Sequence, residues 1–151
     1  MSNRLEKDVI VKRINGIQRE LSALHRIQEI PFKEFAGGDG FKLAQFHLHR
    51  ALEGVFNIST HILSRLPGAQ ATSYAEVARK LGEFGIIDKK FSEENLVKMA
   101  KYRNRLVHFY AEITEKEMYD ILNNNLGDFD TFLSAVKKVL ETPQQFRLSL
   151  D

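Results

Sequence analysis

Apolar residues recur three and four positions apart along almost the whole chain, which is the spacing of one face of an α-helix. The first stripe is Leu5, Val9, Ile10, Ile14, Ile17, Leu21, Leu24 and Ile27, and Pro31 with Ala36-Gly37-Gly38-Asp39-Gly40 ends it. A second long helix is expected from about Phe41, with Ala44, Leu48, Ala51, Leu52, Val55, Ile58, Ile62 and Leu66 on its stripe and Pro67-Gly68 as its stop. Ser73-Tyr74-Ala75-Glu76 has the Ser-x-x-Glu form of a capping box and opens a short third helix to about Glu83, before Gly85 breaks the pattern. Ser92 is the expected cap of a fourth helix running to about Phe109, with Phe91 and Leu96 placed as a hydrophobic staple. Thr114-Glu115-Lys116-Glu117 is a second capping-box match. It opens a fifth helix whose stripe runs from Met118 through Phe129 and Phe132 to Leu140, and Gly127 bends that helix without ending it.

No segment alternates apolar and polar residues over the length of a strand, and no internal repeat is present. The expected fold is therefore all-α, an antiparallel bundle of about five helices over residues 1–142 with a loose tail over 143–151.

Composition narrows the chemistry. A chain of 151 residues with 43% apolar residues is the size of one domain with one core. There is no Cys, so disulfides, thiolate nucleophiles and cysteine-based zinc sites are excluded, and a cytoplasmic location is the expectation. The N-terminus is polar and mixed in charge, and no apolar run approaches a membrane span, so neither a signal peptide nor a transmembrane helix is expected. The net charge of +2 says little by itself. Its distribution says more: Arg79, Lys80, Lys89, Lys90, Lys98, Lys101, Arg103 and Arg105 form a basic run, whereas Glu112 to Asp130 is rich in carboxylates. His47 and His49 point to different faces of a helix and have no carboxylate at ligand spacing, so a metal site is not expected.

On a helical wheel of the fourth helix, Met99, Tyr102, Leu106 and Phe109 form the core stripe, flanked by Arg105. Arg103, Tyr110, Val107, Asn104 and His108 fall on the other side and make one patch, in which Arg103 and His108 flank a ligand from two sides. The same outer side carries Leu96, Val97, Ala100 and Val107, which an exposed helix has little reason to use. Either a second copy of the chain in a C2 dimer or a neighbouring helix of the same chain would cover them. Arg50 and Glu53 lie three apart, the spacing of an intrahelical ion pair, with a supporting role beside His108 as the alternative.

Arg103-Asn104, then His108, then Tyr110 resembles the Arg-Asn-x-x-x-His-x-Tyr signature of HepT-type ribonuclease toxins in the HEPN superfamily. Arg50-Ala51-Leu52-Glu53 and Leu81-Gly82-Glu83-Phe84-Gly85-Ile86-Ile87 also look like that group, so the resemblance covers most of residues 1 to 140. The resemblance implies a metal-independent endoribonuclease without a cofactor, active as a homodimer and paired with a nucleotidyltransferase antitoxin of the MntA kind. Histidine is the residue type whose titration near neutrality suits proton transfer to or from RNA oxygens, and a guanidinium stays charged and presents a planar fork to phosphate. On this reading His108 moves the proton, Arg103 meets the growing phosphate charge, Asn104 holds His108 or the backbone in place, and the product is a 2′,3′-cyclic phosphate. The resemblance also makes Tyr110 the acceptor of AMP, whose bulk and negative charge would block the phosphate-binding patch. Thr114 departs from the acidic residue common at that position in the group, though either can cap a helix.

Three other readings compete with catalysis. Arg103 and His108 can be interhelical hydrogen-bonding or ion-pairing residues. The chain can be a non-catalytic HEPN-like module that docks a nucleotidyltransferase or a nucleotide, or an inert helical dimer, which leaves the Arg-Asn-His-Tyr patch unexplained.

Overall fold

A computed structural model describes residues 3–108 and 112–151. Among these the fold is helical apart from two short strands, as the periodicity requires. The two long helices, α1 (Lys7–Gln28) and α3 (Gly40–Ser64), make the most extensive helix–helix contact. Arg65 contacts Arg4, His61 contacts Glu6, Gly54 faces Ile17 and Arg50 pairs with Glu20, so numbers rise on one helix as they fall on the other and the pair is antiparallel. Gly54 permits this close approach, because a Cβ there would stand 2.6 Å from Cγ1 of Ile17. Between the long helices the expected break holds its own helix, α2 (Phe32–Gly37). Phe35 at its centre is fully buried against Phe41 and Tyr119, and the Tyr119 hydroxyl donates to the Ile30 carbonyl at 2.7 Å.

The third expected helix is α4 (Tyr74–Glu83), with the Ser73 hydroxyl accepting from the Glu76 amide at 3.1 Å. The fourth begins earlier than its expected cap. α5 (Lys89–Phe91), a π-helical turn (Ser92–Leu96) and α6 (Val97–Val107) form one continuous rod, and Asp88 rather than Ser92 is its cap, accepting from the Phe91 amide at 3.0 Å. The Ser92 side chain is buried and donates instead to the Ala78 carbonyl at 2.5 Å. Gly82 leaves room for it, since a Cβ on that residue would lie 2.6 Å from the Ser92 hydroxyl. Leu96, Val97 and Ala100 are buried by α3 and α4 of the same chain and Val107 is half-buried, so the neighbouring-helix reading holds for the first three and they give no argument for a dimer.

The expected fifth helix is two: α7 (Glu115–Asn124) and α8 (Gly127–Glu141). A run of three asparagines precedes the break, and two of them turn their amides back onto the chain, Asn123 onto the Tyr119 carbonyl and Asn124 onto that of Asp120. Asn and Gly are weak helix formers, and the chain turns at Asn125 and Leu126, just before Gly127, where only a bend was expected. The tail also differs from the expectation of a loose end. A 3₁₀ turn (Pro143–Phe146) leads into β2 (Ser149–Leu150), which pairs in parallel with β1 (Arg4–Leu5), and Leu148 is buried. Among the described residues, no helix is long and apolar enough to cross a membrane.

The tail and α3 together satisfy the start of α1, whose N-cap residue Glu6 makes no side-chain cap. The Lys7 amide donates to Asp151 at 3.1 Å and the Glu6 amide donates to Nε2 of His61 at 3.1 Å. His61 must therefore be unprotonated at Nε2 to accept. Burial, followed by the nearby Arg65 charge, holds its pKa below the ordinary 6.5, while Glu6 and Asp151 act in the opposite sense without reversing the shift. A group with a folded pKa below its unfolded value binds fewer protons when folded, so stability is intact above the unfolded value and is lost as pH falls through the folded one. Urea midpoints taken between about pH 8 and about pH 5 should fall more in the parent than in His61→Gln. Equal losses would mean that the imidazole does not contribute to the acid sensitivity.

Candidate ribonuclease site

Arg103 sits in α6 and its guanidinium is enclosed on three sides. Nε donates to Oε1 of Glu53 on α3 at 2.5 Å, and Nη1 donates to Oδ1 of Asn104 at 3.2 Å. Cζ lies 4.4 Å from the centroid of the Tyr74 ring, and the far face of that ring is stacked on Phe56 with centroids 5.0 Å apart. Phe56 is fully buried, so the stack is anchored in the core. The Arg103 side chain retains 23% exposure and Glu53 29%. A partly desolvated guanidinium is stable here because a carboxylate and an aromatic face replace the water it gives up. The interhelical ion-pair reading of Arg103 is realised, with Glu53 as the partner.

That contact corrects the expectation for Arg50 and Glu53, which do not pair with each other. Arg50 donates from Nε to Oε1 of Glu20 at 2.8 Å, and His47 meets the other oxygen of Glu20 at 2.6 Å. Burial of Glu20 favours its neutral form, but the hydrogen bonds from Arg50 and His47 outweigh this and hold its pKa below the usual carboxylate value. Glu53 thus supports Arg103 directly. Nε2 of His49 lies 3.4 Å from Oε1 of Glu53, within ion-pair range but without hydrogen-bond geometry.

α6 ends at Val107, two residues short of the expected end, and His108 is its C-cap with an extended backbone (φ −106°, ψ 105°). Its amide donates to the Arg105 carbonyl at 3.3 Å and its side chain is exposed. The helical wheel therefore does not set the direction of His108. Phe109 and Tyr110, with Ala111, lie outside the described residues. Arg105 fixes the far side of this segment: its guanidinium binds both oxygens of Glu117, at 3.0 Å for Nη2–Oε1, and Nη2 reaches the Glu112 carbonyl at 2.7 Å. It also lies 5.3 Å from the Tyr102 ring. Thr114 caps α7 by accepting from the Glu117 amide at 3.1 Å, so the departure from an acidic residue costs no cap.

The basic run does not make one face. Arg105 is committed to Glu117, Lys80 pairs with Glu83, and Lys98 lines a cavity of about 780 Å³ between α6, α7 and α8. Glu94, Glu117, Asp120 and Asp128 line that cavity with Lys98 and Lys116, so carboxylates outnumber lysines there and the balance of charge disfavours phosphate. The Tyr102 hydroxyl is buried there, with no described atom in hydrogen-bond geometry. Burial, and then the nearby Glu117 charge, push its pKa up and keep it protonated. Among the described residues no group of His, Asp and Glu is arranged to hold a metal ion.

Sequence reasoning did not find Tyr74, Phe56 or Glu20 as neighbours of the site. Tyr74 is legible only as the residue after a cap, and its contact with Arg103 exists because α4 and α6 pack together. In a double-mutant cycle by urea unfolding, Tyr74→Leu and Arg103→Gln should couple by about 1 kcal/mol, and Tyr74→Phe should retain the coupling. Additive effects would mean that the ring does not hold the guanidinium.

The site belongs to a chain with clear relatives. Residues 17–136 match the family described as Ribonuclease HepT-like. The chain is 27% identical over 139 residues to the mRNA nuclease HepT of Shewanella oneidensis, covering 86% of this chain and 97% of that protein. It is 22% identical over 142 residues to the tRNA nuclease HepT of Aphanizomenon flos-aquae, covering 93% and 96%. Two solved structures superpose with a TM-score of 0.77 over 87% of this chain and 98% of theirs. One, at 23% identity, is a toxin–antitoxin complex with AMP-PNP; the other, at 24%, is the tri-AMPylated Shewanella oneidensis HEPN toxin in complex with MNT antitoxin. With the family model matching residues 17–136, well over half of the chain, and the fold shared with these toxins, the chain belongs to the Ribonuclease HepT-like family.

Proposed function

We propose that this protein is a metal-independent endoribonuclease toxin that cleaves RNA at Arg103 and His108 and is neutralised by a nucleotidyltransferase partner that transfers AMP to Tyr110. The observation that carries the reading is the preset guanidinium of Arg103, five residues before an exposed histidine in a chain of this family. A guanidinium has five N–H groups, and the Glu53 and Asn104 bonds engage two of them, so the fork can still receive a phosphate oxygen.

Chemistry follows from these groups. The 2′-hydroxyl oxygen attacks the adjacent phosphorus, the bond from phosphorus to the 5′-oxygen breaks, and the products are a 2′,3′-cyclic phosphate and a 5′-hydroxyl. One proton leaves the 2′-oxygen and one reaches the 5′-oxygen, and an imidazole can do either. Two chains in a C2 dimer would bring a second His108, so that one accepts as the other donates. Arg103 offsets the negative charge that grows on the non-bridging oxygens, and Asn104 accepts from its guanidinium and helps to hold it. Attaching AMP at Tyr110, two residues after His108, would add a phosphate that competes for Arg103.

The relatives are named an mRNA nuclease in one case and a tRNA nuclease in the other, and of the solved complexes one is a toxin–antitoxin with AMP-PNP and the other a tri-AMPylated toxin with MNT antitoxin. These support RNA as the substrate class and AMP transfer as the control. Purified protein should cleave RNA in the presence of a chelator, and His108→Ala should slow cleavage by about 10² to 10⁴. Cleavage by His108→Ala at the parent rate would remove the histidine from the mechanism. Co-expression with a nucleotidyltransferase antitoxin of the MNT kind should add AMP to the parent and not to Tyr110→Phe, as read by intact mass.

A further inference from the structure

A groove of about 710 Å³ runs between α1 and α3 and is floored by Ile17 and Gly54. Its α1 wall carries Lys12, Arg13 and Arg19, all exposed, with Gly16 between them supplying no side chain. The Arg19 guanidinium lies across that gap, 3.8 Å from where a Cβ of Gly16 would be. Lys12 and Arg19 are seven residues apart, about 10 Å along the helix. The α3 wall carries Phe46, Arg50 and Glu53. The two carboxylates in the groove are already engaged, Glu20 by Arg50 and His47 and Glu53 by Arg103. None of Lys12, Arg13 and Arg19 forms an ion pair with a described residue. The groove is therefore cationic in excess, and its lining includes Glu53, the residue that holds Arg103. Phe46 is 54% exposed, with the Arg50 guanidinium 5.4 Å from its ring centre, which leaves a flat apolar face beside a charge.

We propose that this groove is a second, non-catalytic binding site that takes the phosphate backbone of single-stranded RNA flanking the cleaved bond, with Phe46 stacking a base. Unpaired cations along a groove with an exposed aromatic face are what a flexible polyanion of stacked bases requires. A second copy of the chain fits less well, because a two-fold contact would set one cationic groove against another. The inference rests on the ribonuclease reading, and it locates the rest of the substrate relative to Arg103.

The test is equilibrium binding, by fluorescence anisotropy at several KCl concentrations, of a 2′-O-methyl RNA of about 12 nucleotides. This probe has no free 2′-hydroxyl, so it reports binding whether or not the chain cleaves RNA. The triple variant Lys12→Ala/Arg13→Ala/Arg19→Ala should bind at least about ten-fold more weakly, with a salt slope shallower by about 2, at about 0.7 per lost phosphate contact. Phe46→Ala should weaken binding about five-fold with the slope unchanged, because stacking carries no charge. Lys137→Ala/Lys138→Ala, which removes charge from exposed positions of α8 outside the groove, should change neither. Unchanged affinity and slope in the triple variant would overturn the proposal. So would sedimentation data in which the triple variant alters subunit association and RNA binding only follows it, since the groove would then be a contact between copies. If the triple variant loses binding but no form of the protein cleaves unmodified RNA, the groove stands as an RNA site and the nuclease reading falls.

Discussion

A guanidinium drawn partly out of water is stable only if other groups replace the solvent, and the Glu53 carboxylate and the Tyr74 ring do so for Arg103. The requirement reaches through the fold because the replacing groups come from different helices. Glu53 lies on α3, Tyr74 opens α4, and Phe56 on α3 backs the ring from the core. Those helices must keep their spacing for the cation to keep its direction. The close contacts that maintain it are local and steric, with Gly54 against Ile17 and Gly82 against Ser92. The guanidinium fork therefore inherits its rigidity from steric packing between helices, at positions that do not touch it.

α3 is the element on which the candidate chemistry converges. Along its length His47 and Arg50 hold Glu20, Glu53 holds Arg103, and His61 accepts from the start of α1. The first two contacts set the polar wall of the α1–α3 groove, and the third fixes the end of the helix that forms the opposite wall. The site and the groove are thus two parts of one polar seam between antiparallel helices. The cavity on the α7 side of α6, where carboxylates outnumber lysines, differs from it in charge.

The helical class, the capping of α4 by Ser73 and α7 by Thr114, and the Arg-Asn-x-x-x-His string were legible in the sequence. Periodicity and caps are local, so a linear reading reaches them. The same reading misplaced what depends on competition between partners. Ser92 looks like a cap, yet its hydroxyl is used by the Ala78 carbonyl fourteen residues away, and Asp88 caps instead. Arg50 and Glu53 look like a pair at helical spacing, yet Glu20 and Arg103 approach each of them from neighbouring helices.

The sequence by itself determined that this chain forms one helical domain carrying an arginine and a histidine five residues apart, because residue type and spacing survive without any tertiary contact. Only the folded structure decided that α3 and α4 cover the apolar side of α6, that the tail pairs with the N-terminus, and that Arg103 is held between a carboxylate and an aromatic ring. The physical reason is that charge pairing and side-chain stacking are chosen by proximity in space, where the nearest and least hydrated partner wins, and that order is not written in the order of the residues.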